Sequence, residues 1–283
     1  MRATGVHESN IQLSIPGMQA HTCDTNLSIT SVIRQMRGTS GAYLVQANDD
    51  LYYVAKFKGN PKGTRTLVNE LLGSLILRLL GLPVAEGVIL HLDETNLPKS
   101  DWPFVGNPND KCRAEAGLHF GSTFPGNPNT DAVYDLFPMQ AAHRITNLDS
   151  VDYVLFVDIW LGRSEWRQAV FSRNQDRKFT LTLIDNSMLF GGSDWNFNAK
   201  AEQARFFDRS MYEHTNTFSP SQTLLSEVAN LLNTRRSEFL QQIPAEWLRG
   251  DEVALHTLLD ELGERAKRLV PDHTEGAYNR MLI

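Results

Sequence analysis

Lys56 ends the strand-like run YYVAK, and Glu70 lies on the helix-like run TLVNELLGSLILRLLG that follows it. Ahead of both stands RGTSGAY, residues 37–43, whose glycines and hydroxyls form a turn able to offer backbone N–H groups to phosphate oxygens. Further on, GRSEWRQ, residues 162–168, sets Glu165 between Arg163 and Arg167, directly after an apolar run. Asp185 then closes the alternating run FTLTLI, where an aspartate suits a hard cation. Taken singly, each has an ordinary reading: a charge on a solvated strand or helix face, a hairpin turn, an aspartate capping a loop. The order is what carries chemistry. Strand alternation puts Val54 and Lys56 on one face, so the lysine points inward and needs a counter-charge, with Lys58, two residues on, as the competing candidate. Glu70, at the edge of an apolar helix stripe, can supply it. Glycine turn, strand lysine, helix glutamate, polar loop and strand-end aspartate are the parts that phosphoryl transfer needs.

These residues require elements to hold them. SITSVIRQM, AYLVQA and LYYVAKF read as strands, the last two joined by a turn at Asn48, Asp49 and Asp50. Leu67, Val68, Leu71, Leu72, Leu75, Ile76, Leu79 and Leu80 recur at helical spacing, with Thr66 as the expected N-cap and Gly81 and Pro83 as stop signals. VAEGVILHL predicts another strand. Residues 93–130, rich in Asp, Asn, Pro and Gly, read as a long connection between two lobes. LDSVDYVLFVDIWLG is apolar nearly all round, which predicts a buried helix. QAVFS and KFTLTLI bracket a second hairpin, and two amphipathic helices follow, over residues 221–243 and 251–270. The resulting division is a polar lead-in over 1–26, a β-rich lobe over 27–110 and a mainly helical lobe over 111–283.

Composition narrows the classes. The chain has 283 residues, 41% hydrophobic, with a net charge of −6, enough to bury a sizeable core and unlike a nucleic-acid-binding surface. Cys23 and Cys112 stand far apart without ligand-like neighbours, and no pair of histidines has metal-ligand spacing. No apolar run approaches the ~20 residues that cross a bilayer, and the first residues lack an apolar signal core. The expectation is a cytoplasmic protein with neither a membrane nor a nucleic acid as partner.

SGAYLV, YYVAKFKGNP, LVNELLGSLILRLLGLPV, AGLHFGSTFPG, DIWLG, RQAVF and LIDNSMLFGG, spread over residues 30–192, together resemble the HipA-like kinase family in its short form. The resemblance implies an α+β, two-lobed protein-kinase-like fold, with a β-rich N-lobe carrying one helix and a mainly helical C-lobe. It implies ATP and Mg2+ as cofactors and transfer of phosphate to Ser or Thr of a protein or peptide. Lys56 would then hold the nucleotide phosphates and Glu70 orient that lysine. Gly38, Thr39, Ser40 and Gly41 would cover the nucleotide, at a position where some relatives phosphorylate themselves. Asp185 and Gln168 would bind the metal, and Glu165, with Arg163 and Arg167, would form the catalytic loop. The chain also departs from the family. Its loop usually reads Gly-Asn-x-Asp, and here Arg163 and Glu165 replace the Asn and the Asp. Asn186 and Ser187 stand where His-Gly usually follows the metal aspartate. A guanidinium beside the base is expected to pair with it and lower its basicity. These departures keep open a pseudokinase that binds nucleotide or a partner without transfer, and an enzyme turned to nucleotidyl transfer or peptide modification.

Overall fold

The computed structural model describes residues 27–38, 41–60, 63–107, 109–198, 201–206, 208–214 and 222–268. The chain opens with β1 (Leu27–Gln35), β2 (Tyr43–Ala47) and β3 (Tyr52–Lys56), an antiparallel meander whose second turn falls at Asn48–Asp50. There Asp50 takes a left-handed φ of 65° and Asp49 accepts the Leu51 N–H at 3.0 Å. Alternation sends Ile29, Val45, Tyr53 and Ala55 into a common core, and Val54 and Lys56 to the opposite face of β3.

Helix α1 (Arg65–Leu79) follows. Thr66 does not cap it: its hydroxyl donates backward to the Gly63 carbonyl at 2.7 Å instead of accepting an N–H, and the N-cap position falls two residues earlier, at Thr64. Gly81, at φ +72°, turns the chain away, with Leu82 N–H donating to Leu77 O at 3.0 Å. Next come β4 (Gly87–Leu92), the hairpin of β5 (Phe104–Asn107) and β6 (Asp110–Arg113), and β7 (Gly117–Thr123). The stretch read as a connection therefore contains three strands. β7 inserts between β3 and β4, β1 pairs parallel with β4, and the sheet closes as a barrel in the order β1-β2-β3-β7-β4. The barrel thus extends past residue 110, where the sequence suggested a lobe boundary.

Beyond it lie β8 (Val133–Tyr134), α2 (Val151–Trp160), β9 (Gln168–Arg173) and β10 (Phe179–Ile184), with sheet order β10-β9-β8. The chain ends its described part in α3 (Gln222–Gln242), α4 (Ala245–Leu248) and α5 (Glu252–Arg268). α2 is buried on nearly every side, as its composition requires. Arg265 from α5 satisfies its last carbonyls, donating to Trp160 O at 2.9 Å and Ile159 O at 2.8 Å. α1 belongs to this second core and not to the barrel's interior. Leu67, Leu71, Leu72 and Ile76 pack in one cluster with Ile89 and Phe120 of the barrel wall and with α2, β10 and α5. It is wedged between the two parts. No described helix is long and apolar enough to cross a membrane.

Candidate active site

A cleft of about 740 Å³ separates the barrel from the second sheet, a volume suited to a nucleotide-sized ligand. Its walls are apolar: Ala42, Val54 and Phe120 from the barrel face Val170, Phe171 and Ile184. Its polar end opens into a smaller space of about 220 Å³, lined by Arg37, Gly38, Lys56, Glu165, Gln168 and Asp185, among others.

Lys56 is the hub. Its side chain is 12% exposed, and its ammonium pairs with Glu70 Oε1 and, at 2.9 Å, with Asp185 Oδ1. Glu70 is 2% exposed and uses its other oxygen to accept the Asn186 N–H at 2.9 Å. Burial alone would strip the proton from Lys56, but the two carboxylates outweigh it and raise its pKa, so the charge is fixed. Asp185 sits at a left-handed φ of 57° at the end of β10, a conformation aspartate tolerates better than most residues. Burial opposes its charge, yet Lys56 and the Ser187 hydroxyl at 2.7 Å hold its carboxyl far below the usual range. Both of these donors converge on Oδ1, leaving Oδ2 outside the cluster.

The loop after α2 is zipped to the segment after Asp185. Phe190 N–H donates to Leu161 O at 2.8 Å, Gly191 N–H to Gly162 O at 2.8 Å and Ser164 N–H to Met188 O at 2.9 Å. Arg167 is buried and fully engaged. It pairs with Asp158 through both carboxylate oxygens and reaches Asn186 Oδ1 at 2.9 Å. Arg163 is 1% exposed and lines neither space. Its guanidinium donates to Asp185 O and Trp166 O, both at 2.9 Å, and its Nε has no partner among the described residues. Burial, with Arg167 nearby, lowers its pKa to about 10. The expected pairing of Arg163 with Glu165 does not occur: no ion pair joins them among the described residues, because Arg163 turns inward while Glu165 turns to the polar space.

The structure therefore brings Lys56, Glu70, Asp185, Glu165 and Gln168 together, with Gly38 overhead at φ +111°, a conformation that only glycine adopts freely. Gly41 takes φ +62° in the same turn, closed by Met36 N–H donating to Ala42 O at 2.8 Å. Thr39 and Ser40 lie outside the described residues. Arg163 sits beneath the site, whereas Arg167, buried in its pairing with Asp158, also lines the larger cleft. Arg37 lines the site, while Asn69 and Asp158 are buried behind it, and none of the three stood out in the sequence as a site residue. Asp158 lay unmarked within DIWLG, and neither Asn69, in a helical pattern, nor Arg37, beside a glycine, carries a spacing signal.

The donors suit a hard cation held jointly with phosphates. Asp185 offers a carboxylate oxygen and Gln168 an amide oxygen, and no cluster of three His, Cys, Asp or Glu among the described residues forms a cage by itself. An apolar slot ending in a fixed lysine, a carboxylate pair and a glycine-turn cover is the arrangement that a kinase-type nucleotide site requires. The sequence profile of the HipA-like kinase family matches residues 29–275, and the chain belongs to that family. No curated protein matches it. Among solved structures it is similar to the Golgi casein kinase, with TM-score 0.47 and 11% identity over 87% of this chain and 71% of that one. The same kinase with Mn/ADP bound gives TM-score 0.49 and 10% identity over 87% and 72%. A hydra Fam20 with sugar gives 0.43 and 14% over 89% and 91%.

Proposed function

We propose that the protein is an ATP- and Mg2+-dependent phosphotransferase of two-lobed, protein-kinase-like architecture that phosphorylates Ser or Thr of a protein or peptide. The observation that carries this reading is the meeting of Lys56, Glu70 and Asp185 at the polar end of an apolar cleft. Lys56 neutralises phosphate oxygens, and Glu70 keeps it aimed. Asp185 and Gln168 would hold the metal, which when bound spreads the charge of the transferring group. Glu165 faces the same space and orients the acceptor hydroxyl, taking its proton as the new oxygen–phosphorus bond forms and the bond to the departing ADP breaks. Arg37 adds positive charge from the turn above.

A second reading is supported by Arg163. It occupies the family's asparagine position but faces away from the cleft, which removes one oxygen ligand and favours nucleotide binding without transfer. Incubation with ATP labelled at the γ-phosphate, with a mixed protein extract as acceptor, separates the readings. Label on protein supports the kinase. Magnesium-dependent binding without label supports the pseudokinase, and transfer of the nucleotide itself would mean the fold has been turned to other chemistry.

A further inference from the structure

Asn69 is completely buried, next to Glu70 on α1. Its Nδ2 lies 2.8 Å from Ser187 O, 3.1 Å from Leu189 O and 3.0 Å from Gly192 O, and its Oδ1 accepts the Trp195 indole N–H at 2.7 Å. An amide carries only two N–H donors, so three carbonyls share two protons. The reason they converge lies in the loop. Phe190, Gly191, Gly192 and Trp195 have positive φ of 60°, 76°, 76° and 51°, so the segment folds back on itself and the Ser187, Leu189 and Gly192 carbonyls meet at one amide. Four residues along α1, Gly73 leaves room for the same loop: a Cβ there would stand 2.6 Å from Leu189 Cδ1 and 2.9 Å from Asn186 Cβ.

We propose that Asn69 is a positioning residue for Asp185. It binds the 187–195 loop to α1 while its neighbour Glu70 binds Lys56 and the Asn186 N–H, so the lysine and the metal-binding aspartate are carried on one rigid unit. The inference rests on the nucleotide site proposed above. Asn69 touches neither nucleotide nor metal. Its effect passes through the loop to the carboxylate orientation of Asp185, and falls on the contribution of magnesium to binding, not on the contact of Lys56 with phosphate. A direct hydrogen-bond partner of a metal ligand typically changes affinity about 10–100-fold, and Asn69, which reaches Asp185 through Ser187, belongs at the low end of that range.

The test is the dissociation constant of ADP, measured by calorimetry with Mg2+ and with EDTA, on wild type and folded variants. Wild type should bind more tightly with Mg2+. Asn69→Ala should cut that magnesium advantage roughly tenfold while leaving the EDTA value within about threefold. Asn69→Ser, which keeps one donor and is the milder change should the alanine variant not fold, should fall between. Trp195→Phe leaves the donors of Asn69 intact and should keep the full advantage. An unchanged ratio in Asn69→Ala and Asn69→Ser, or an equal loss with and without metal, overturns the inference and leaves the nucleotide site standing. A wild type that binds no ADP under either condition overturns both.

Discussion

Glu165 has one methylene more than the aspartate usual at its position, and the backbone around it is fixed by three loop-to-loop hydrogen bonds. Its carboxylate cannot be reached by an easy shift of the chain. Glu165→Ala is expected to lower γ-phosphate transfer roughly a hundredfold, with little change in ADP affinity, since a base contributes to the reaction and not to nucleotide binding. A variant as active as wild type would remove Glu165 from the role. Arg163→Asn, which restores the family residue, is expected to lower the melting temperature and not to raise activity. It removes the donor to the Asp185 carbonyl beneath the site, where an unpaired group costs ~1–3 kcal/mol. Lys56, Glu70 and Asp185 were legible because charges in apolar runs stand out. The inward turn of Arg163 was not, because one sequence does not say which side of a loop a side chain takes.

At the scale of elements, α1 is the one on which most depends. Leu72 is fully buried in the shared core, so Leu72→Ala should cost about 2–5 kcal/mol in denaturant unfolding. Gly73→Ala makes a sharper case. Alanine is better in a helix by ~0.5–1 kcal/mol, but the added methyl overlaps Asn186 and Leu189, and overpacking costs ~1–3 kcal/mol. The variant should be less stable than wild type despite its higher helix propensity, and should bind Mg2+·ADP more weakly than ADP alone when each is compared with wild type. The helix itself was plain in the leucine spacing. β7 was hidden, because GLHFGST has two glycines and no clean alternation, and its place in the barrel is set by pairing with strands about 65 and 30 residues away.

For the whole molecule, His119 is a pH-dependent weak point. It is fully buried on β7, where Nδ1 accepts the Lys58 N–H and Nε2 lies 3.0 Å from Glu115 O. Burial, with Lys58 close by, lowers its pKa from 6.5 to about 3. The unfolded chain therefore binds a proton that the folded one refuses between those two values. Stability is retained above pH 6.5 and falls as the pH drops toward 3. His119→Asn, which keeps an acceptor for Lys58, should show a flatter decline of melting temperature across that window. An identical slope would mean the histidine charges without cost.

For the protein or peptide acceptor proposed above, the barrel and the edge of the second sheet would also govern how a polypeptide is held. The barrel closes between β1 and β4 through Leu27 and Ser28 alone, so it leaves little rim for another chain to join. The outer side of β10 is likewise sealed: Thr146 N–H donates to Phe179 O, the Asn147 amide both accepts from and donates to Leu181 at 2.9 Å, and Pro83 and Ala85 take up Leu183. At the far edge, β8 is only two residues long. Recruitment by strand addition is thus closed along the outer side of β10, and so is the templating that drives sheet-to-sheet aggregation there. A peptide seated here would be selected by its side chains and its charge, and one with a scrambled backbone register but the same residues around the acceptor hydroxyl should serve nearly as well.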